Sequence, residues 1–236
     1  MVALSPTLHA AKVRRRGKTI LGPLDLTLGP KGFTIVLGPN GSGKTTLLKV
    51  LHGVERLSGG TLSWSIPDDQ ARQAQAYVFQ SPIMLRRSVR QNLAYPLQLL
   101  GVDKSEIATK VEEAADRIGL SGKLNDPAPR LSGGEKQKLA LGRALIRAPK
   151  VLFLDEPCAN LDGRSTREIE TLLLNANAAG TRIIMTTHDL GQARRLASDV
   201  VFLLNGKLHD QGPAPDIFTA PNTPETQAFF QGDIVE

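Results

Sequence analysis

Cysteine is nearly absent. Cys158 stands alone in 236 residues, which excludes an internal disulfide framework and fits a reducing cytosol. Aromatic residues make up only 4% of the chain, too few for the stacking surfaces that hold unpaired bases. Long apolar runs are missing. The longest resemble Val200-Val201-Phe202-Leu203-Leu204, far short of the ~18 residues that cross a bilayer. Met1 to Lys12 carries no basic segment followed by a long apolar stretch, so no secretory signal is expected. Internal repeats, low-complexity tracts and flexible linkers are lacking too. The net charge is +6, but its one dense cluster, Lys12, Arg14-Arg15-Arg16 and Lys18, is short. An ordinary solvated basic surface is expected there, with no nucleic-acid partner. What remains is 41% hydrophobic and 22% charged. That is the make-up of a soluble globular chain, long enough for one large domain or two modest ones.

One stretch organises the rest: Gly38-Pro39-Asn40-Gly41-Ser42-Gly43-Lys44-Thr45-Thr46. It follows the apolar run Phe33 to Leu37 and precedes Leu47-Leu48-Lys49-Val50-Leu51. The context reads strand, glycine-rich turn, helix, and G-x-x-x-x-G-K-[ST] in that setting is a phosphate-binding loop. Glycines let the backbone turn tightly and bring its N–H groups against an anion. The helix N-terminus adds partial positive charge. Lys44 is placed to reach β- and γ-phosphates, and Thr45 to offer its hydroxyl to Mg2+.

Around this loop the chain reads as short strands over residues 1 to 32, with Leu24 to Leu28 alternating as a half-buried strand. Leu47, Leu48, Leu51 and Val54 fall at helical spacing. Thr61 to Ile66 alternates again, with Trp64 read on its polar phase. Ala76 to Gln80 is a buried-type strand. From Ser81 to about Asn125 the pattern is helical. Asp103 with Glu106 has capping spacing, and Ile107, Val111, Ala114, Ala115 and Ile118 form one face. Ser132 and Glu135 have capping-box spacing before another helix. Val151 to Leu154 is a strand ending in Asp155-Glu156, and Arg182 to Thr187 one ending at His188. The β–α–β spacing predicts a parallel sheet with functional residues at strand C-terminal ends. Asn205-Gly206 marks a hairpin, and the tail from Gly212 is Pro-rich and polar, with a short helix over Pro224 to Phe230.

The strand ends carry candidate chemistry. Asp155 is expected on a strand beside the one that feeds the phosphate loop. There a carboxylate holds Mg2+ directly or through water. Glu156, one residue on, is the candidate general base for an attacking water. Gln80 can share Mg2+ or orient water, and His188 can donate to a γ-phosphate. Ser132-Gly133-Gly134 at a helix start forms a second anion cradle. One nucleotide has no use for two cradles, unless the second closes the site of another copy.

In order and spacing, the phosphate loop, Gln80, Leu131 to Glu135, Val151 to Glu156, Asn160-Leu161-Asp162 and His188 resemble an ATP-binding cassette (ABC) ATPase over nearly the whole chain. The resemblance implies an α/β P-loop NTPase (RecA-like) core with an antiparallel β subdomain and an inserted α-helical subdomain. As one ABC ATPase domain, residues 1–80 and 151–211 would form the β subdomain and core, about 81–130 the helical subdomain, and 212–236 a tail. It also implies ATP and Mg2+ as cofactors and a head-to-tail homodimer. Each ATP would lie between one copy's loop and the other's Ser132, Gly133 and Gly134, with Asp162 also at that interface.

Some positions depart from the family pattern. Arg14-Arg15-Arg16-Gly17 stands where an aromatic usually stacks on adenine, and Arg16 could stack through its guanidinium plane. Lys136-Gln137-Lys138 replaces the usual Gln-Arg. Gly142 stands where alanine is usual, and Cys158 is expected to be a passive filler.

The chain ends soon after the core, carries no fused transmembrane segment and lacks the exporter-type Gly-Glu-Arg-Gly. These features imply an importer ATPase on the cytoplasmic face of the inner membrane, serving a separate permease and, indirectly, an extracytoplasmic solute-binding protein. Val78 to Val89 and Phe229 to Asp233 look like oxyanion importers, tungstate-type most closely. A cassette for lipoprotein release or cell division, and a soluble non-transport motor, are the alternatives.

Overall fold

The computed structural model describes residues 4–233. The first three residues of the N-terminal segment and the last three of the tail therefore lie outside it. Two strands, β1 (Pro6–Arg15) and β2 (Lys18–Thr27), lead to β3 (Phe33–Leu37), and the phosphate loop joins β3 to α1 (Lys44–His52). Then come β4 (Gly59–Trp64), α2 (Asp68–Gln73) and β5 (Gln75–Val78). The middle of the chain holds α3 (Val89–Leu99), α4 (Lys104–Arg117), two 3-10 turns and α5 (Gly133–Leu145). It returns through β6 (Val151–Asp155), α6 (Gly163–Ala178), β7 (Arg182–Thr186), α7 (Leu190–Leu196), β8 (Asp199–Leu204) and β9 (Lys207–Pro213). The last helices are α8 (Ala214–Thr219) and α9 (Pro224–Gln231).

Six strands form the main sheet in the order β5-β6-β7-β3-β8-β9, parallel except for the β8–β9 hairpin. A smaller antiparallel sheet runs β2-β1-β4. Every residue of β3, β6 and β7 is buried, as expected where both faces of a parallel sheet are covered. The period of two divides each strand between two cores. Phe33, Ile35 and Leu37 pack among Leu141, Ile169 and Leu173, while Val36 packs among Leu47, Leu51 and Leu21. Each fully buried leucine stabilises the fold by about 1.5–3 kcal/mol relative to leaving it exposed. A third cluster joins Leu93, Val111, Ile118 and Leu139. Helix α5 thus feeds both the helical cluster and the main core. It approaches α3 and α4 so closely that a Cβ on Gly142 would meet Ile118 Cδ1 at 2.8 Å and Leu93 Cδ2 at 3.1 Å. That accounts for glycine where alanine is usual.

Several local expectations are corrected. The strand holding Asp155 does not lie beside the strand feeding the phosphate loop, because β7 lies between β6 and β3. Trp64 is not on a polar phase. It shares a face with Leu62 and Ile66 and packs on the core beneath the small sheet, while Thr61 and Ser63 face out. Val54 is not on a buried helical face. Gly53 ends α1 in the left-handed conformation and Val54 is 57% exposed. Strand β5 stops at Val78, two residues before Gln80, and β7 at Thr186, two before His188. Asp103 caps α4 by accepting from Ser105 N. Residues 1 to 32 hold two ten-residue strands, and α2, α7 and α8 were not foreseen. Short helices of six or seven residues give too few apolar repeats to register as a period.

Candidate active site

The phosphate loop owes its shape to β8 and β9 as much as to its own glycines. Gly38 has φ 143°, and a Cβ there would sit 2.0 Å from Leu203 O. The loop is backed by the β8–β9 turn, whose Asn205 and Gly206 both have positive φ, and Gly206 N donates to Ser42 O at 3.1 Å. The long helices α3, α4, α5 and α6 carry side-chain caps from Ser88, Asp103, Ser132 and Asp162. By contrast α1 begins at Gly43 with no side-chain cap. Its first-turn N–H groups have no intrahelical acceptor. They open on a cavity of about 510 Å³. This is a cradle suited to phosphate.

Lys44 is 6% exposed, and its Nζ donates to Gly38 O at 2.8 Å and Pro39 O at 3.0 Å. Burial holds its pKa below the ordinary lysine value, opposed by the Glu156 and Asp155 carboxylates. Asp155 reaches the loop from β6 although β7 intervenes, because α1 lies across both strands. Thr45 Oγ1 donates to Asp155 Oδ1 at 2.9 Å, and Thr186 Oγ1 donates to the same oxygen at 2.9 Å. Hydrogen bonds to a charged group contribute about 1.5–3 kcal/mol each, so Oδ1 of this carboxylate is firmly held. Thr186 also receives the Glu156 N–H, at 2.9 Å on Oγ1 and 3.2 Å on its carbonyl. Glu156 itself has φ 45°, a left-handed backbone for a non-glycine residue. Its side chain is half-buried, with Oε2 3.1 Å from His188 Nδ1 and 3.4 Å from Gln80 Nε2.

The structure therefore brings together Asn40, Gly41, Gly43, Lys44, Thr45, Thr46, Gln80, Glu156 and His188 around one cavity. Gly38, Pro39 and Ser42 form the back of the loop, and Asp155 lies beneath Thr45. Gln80 approaches Glu156, not Asp155. Ser132, Gly133, Gly134 and Asp162 do not line this cavity. Ser132 caps α5, exposed, with its hydroxyl against Glu135. Gly134 faces α6, where a Cβ would meet Ser165 Oγ at 2.7 Å. Arg16 sits exposed in the β1–β2 turn, off the cavity lining. Its neighbours are engaged, Arg14 with Gly17 O and Arg15 with Glu55. The Arg16 side chain makes no hydrogen bond or ion pair with a described residue.

Sequence reasoning missed Thr186, Ile20 and Ala159. Thr186 was legible only as a hydroxyl at a strand end, and Ile20 arrives through β1–β2 pairing, which no local pattern announces. Burial pushes the Cys158 thiol up to about 11, so it stays protonated near neutral pH.

Hard oxygen donors at Thr45 and Asp155, 2.9 Å apart beside the cradle, fit a divalent cation that takes most of its ligands from phosphate and water. Among the described residues no group of three or more His, Cys, Asp or Glu side chains could hold a metal alone.

An uncapped helix behind a glycine loop, a buried lysine within it and a paired acid at a nearby strand end define a phosphate-loop nucleotide hydrolase. The family described as ABC transporter matches residues 21–159. The chain belongs to this family: it is an ABC transporter ATPase and binds ATP. It is 39% identical over 204 residues to the tungstate uptake system ATP-binding protein TupC of Peptoclostridium acidaminophilum, covering 86% of this chain and 95% of that one. It is 34% identical to the methionine import ATP-binding protein MetN of Cereibacter sphaeroides, covering 90% of this chain but only 63% of that relative's length. Among solved structures, cbiO1 of Clostridium perfringens, part of the ABC transporter complex cbiONQ, superposes with TM-score 0.83 at 26% identity, covering 93% of this chain and 92% of that one.

Proposed function

We propose that this chain hydrolyses Mg-ATP between two head-to-tail copies and so powers uptake of a small oxyanion, tungstate first, through a separate membrane permease. The placement of Glu156 carries the hydrolytic reading. Its carboxylate stands over the loop between Gln80 and His188, where it can take a proton from water attacking a phosphate. Lys44 and the first-turn N–H groups of α1 would hold the β- and γ-phosphates. Thr45 and Asp155, with Gln80, would hold Mg2+, which when bound neutralises charge on the transferring phosphate. Gln80 and His188 orient the water and the γ-phosphate.

Ser132, Gly133 and Gly134 are exposed or half-exposed at a helix N-terminus away from this cavity, which supports their use on the nucleotide of a second copy, with Asp162 beside them. No helix among the described residues is long and apolar enough to cross a membrane. Beside the sheet lies a groove of about 540 Å³. It is lined by Phe79, Ile83, Leu99, Arg143 and Arg147, and Ile83 and Leu99 are each 69% exposed. An apolar groove with basic residues suits a helix of a permease, and thus a place on the cytoplasmic face of the inner membrane. A solute-binding protein would act on the far side.

The cargo rests on the likeness to the tungstate uptake protein over 95% of its length. Cells lacking this chain should lose uptake of labelled tungstate and regain it on complementation. Unchanged tungstate uptake with loss of another solute would reassign the cargo. At the nucleotide's other end, Arg16→Ala is expected to weaken ATP binding severalfold, within the roughly 0.5–2 kcal/mol of a cation–π contact, and to leave inorganic triphosphate binding alone. Equal loss for both ligands, by calorimetry, would discard adenine stacking by Arg16.

A further inference from the structure

One side chain belongs to both the groove and the metal-side acid. Tyr77, on β5, lines the groove beside Phe79. Its ring is wedged between Phe79, with centroids 4.6 Å apart, His52 at 5.3 Å and Phe153 at 6.3 Å. At the other end its hydroxyl lies 3.5 Å from Asp155 Oδ2. The two oxygens of Asp155 are unequally held. Oδ1 accepts from both Thr45 and Thr186 at 2.9 Å, whereas Tyr77 is the protein partner of Oδ2 among the described residues.

We infer that Tyr77 is a positioning residue that couples occupancy of the groove to the orientation of the Asp155 carboxylate. The inference rests on the reading of Asp155 as a metal-side acid. At 3.5 Å the contact stands at the outer limit of a hydrogen bond, so a shift of a few tenths of an ångström decides whether it is made or lost. Phe79 is 43% exposed on the groove. A helix laid there bears on Phe79 directly, and the ring contact passes the displacement to Tyr77. Packed side chains shift between discrete arrangements more readily than they compress. A phenolic hydroxyl is a donor to a carboxylate oxygen.

The test reads metal binding without turnover. Mn2+ affinity is measured by electron paramagnetic resonance on the whole chain carrying a non-hydrolysable ATP analogue. Tyr77→Phe keeps the ring and removes the hydroxyl. It is expected to weaken Mn2+ roughly tenfold, the low end of what outer partners of a metal ligand contribute. Phe79→Ala should weaken Mn2+ when Tyr77 is present and add nothing in the Tyr77→Phe background, because coupled neighbours are not additive. Equal effects of Phe79→Ala in both backgrounds, or unchanged affinity in Tyr77→Phe, overturn the inference. Asp155→Asn separates the two readings. If it weakens Mn2+ and Tyr77→Phe does not, only the role of Tyr77 falls. If Asp155→Asn leaves Mn2+ affinity unchanged, the metal assignment falls with it. Melting curves of each variant show that the fold is retained.

Discussion

Glu156→Gln is expected to stop turnover and leave ATP bound. Hydrolysis should fall by about 10²–10⁴, the contribution of a positioned general base, while ATP affinity stays near that of the unaltered chain. Glutamine matches glutamate in shape but cannot take a proton from water. The backbone should hold the substitution without change. The φ of 45° at Glu156 is sustained by two contacts from its N–H to Thr186, neither of which involves the altered side chain. Phosphate binding should survive because Lys44 and the uncapped start of α1 are untouched. Removing the Glu156 charge, which opposes the burial-driven fall in the Lys44 pKa, should lower that pKa further. The measurement is phosphate release against nucleotide retained on size-exclusion chromatography. The retained nucleotide should be ATP, on a species of twice the mass. Full turnover in the variant would end the assignment of Glu156 as base.

Ser132→Arg is expected to abolish ATP-dependent pairing of two copies, and with it hydrolysis, while each single copy binds ATP as before. Ser132 is exposed at the start of α5 and lies off the cavity that holds the candidate phosphate groups. A long side chain there starts from a residue outside its own copy's cavity lining, yet would fill the space that a partner's phosphates need in the proposed pair. The local cost is small. The Ser132 cap on Glu135 N is lost, about 1 kcal/mol, which moves the melting temperature of a chain this size by about 2–4 °C. Glu135 remains held by Lys123 at 2.5 Å, so the turn before α5 keeps an anchor. Analytical ultracentrifugation with and without ATP reads the pairing, and calorimetry the single-copy affinity. Loss of single-copy binding would count against a role on the second copy's nucleotide.

Both predictions use residues that could be named from the sequence. Their motifs are short and local: a glycine loop between a strand and a helix, a capping box and an acid pair after an apolar strand. Each is dictated by neighbours within about ten positions, so each is written in one stretch of chain. Burial of β3 follows from its apolar run, and that of the Ile107 to Ile118 face from periodicity. Trp64 shows the limit. Its phase was misread: two-residue spacing puts it with Leu62 and Ile66, on the half-buried face of a strand in which no residue is fully buried.

What the sequence marked by itself was the candidate chemistry: a phosphate loop, a hydroxyl and an acid proposed for a cation, an acid proposed as the base for water, and the pattern of a family to which the chain belongs. Tertiary structure alone decided how they meet. Strand order is set by crossover connections and the packing of helices on both faces, not by any local signal, so β7 came to lie between the acid strand and the loop strand. Helix α1 bridges that gap by lying across β6 and β7, and Thr186 on the intervening strand became the residue that holds both acids in place. The shared wall at Tyr77 has the same origin. Adjacent strands β5 and β6 pair Tyr77 with Phe153, which places a tyrosine hydroxyl beside an acid 78 positions later in the chain. Contacts of that span depend on the whole sheet being assembled, and no window of sequence contains them.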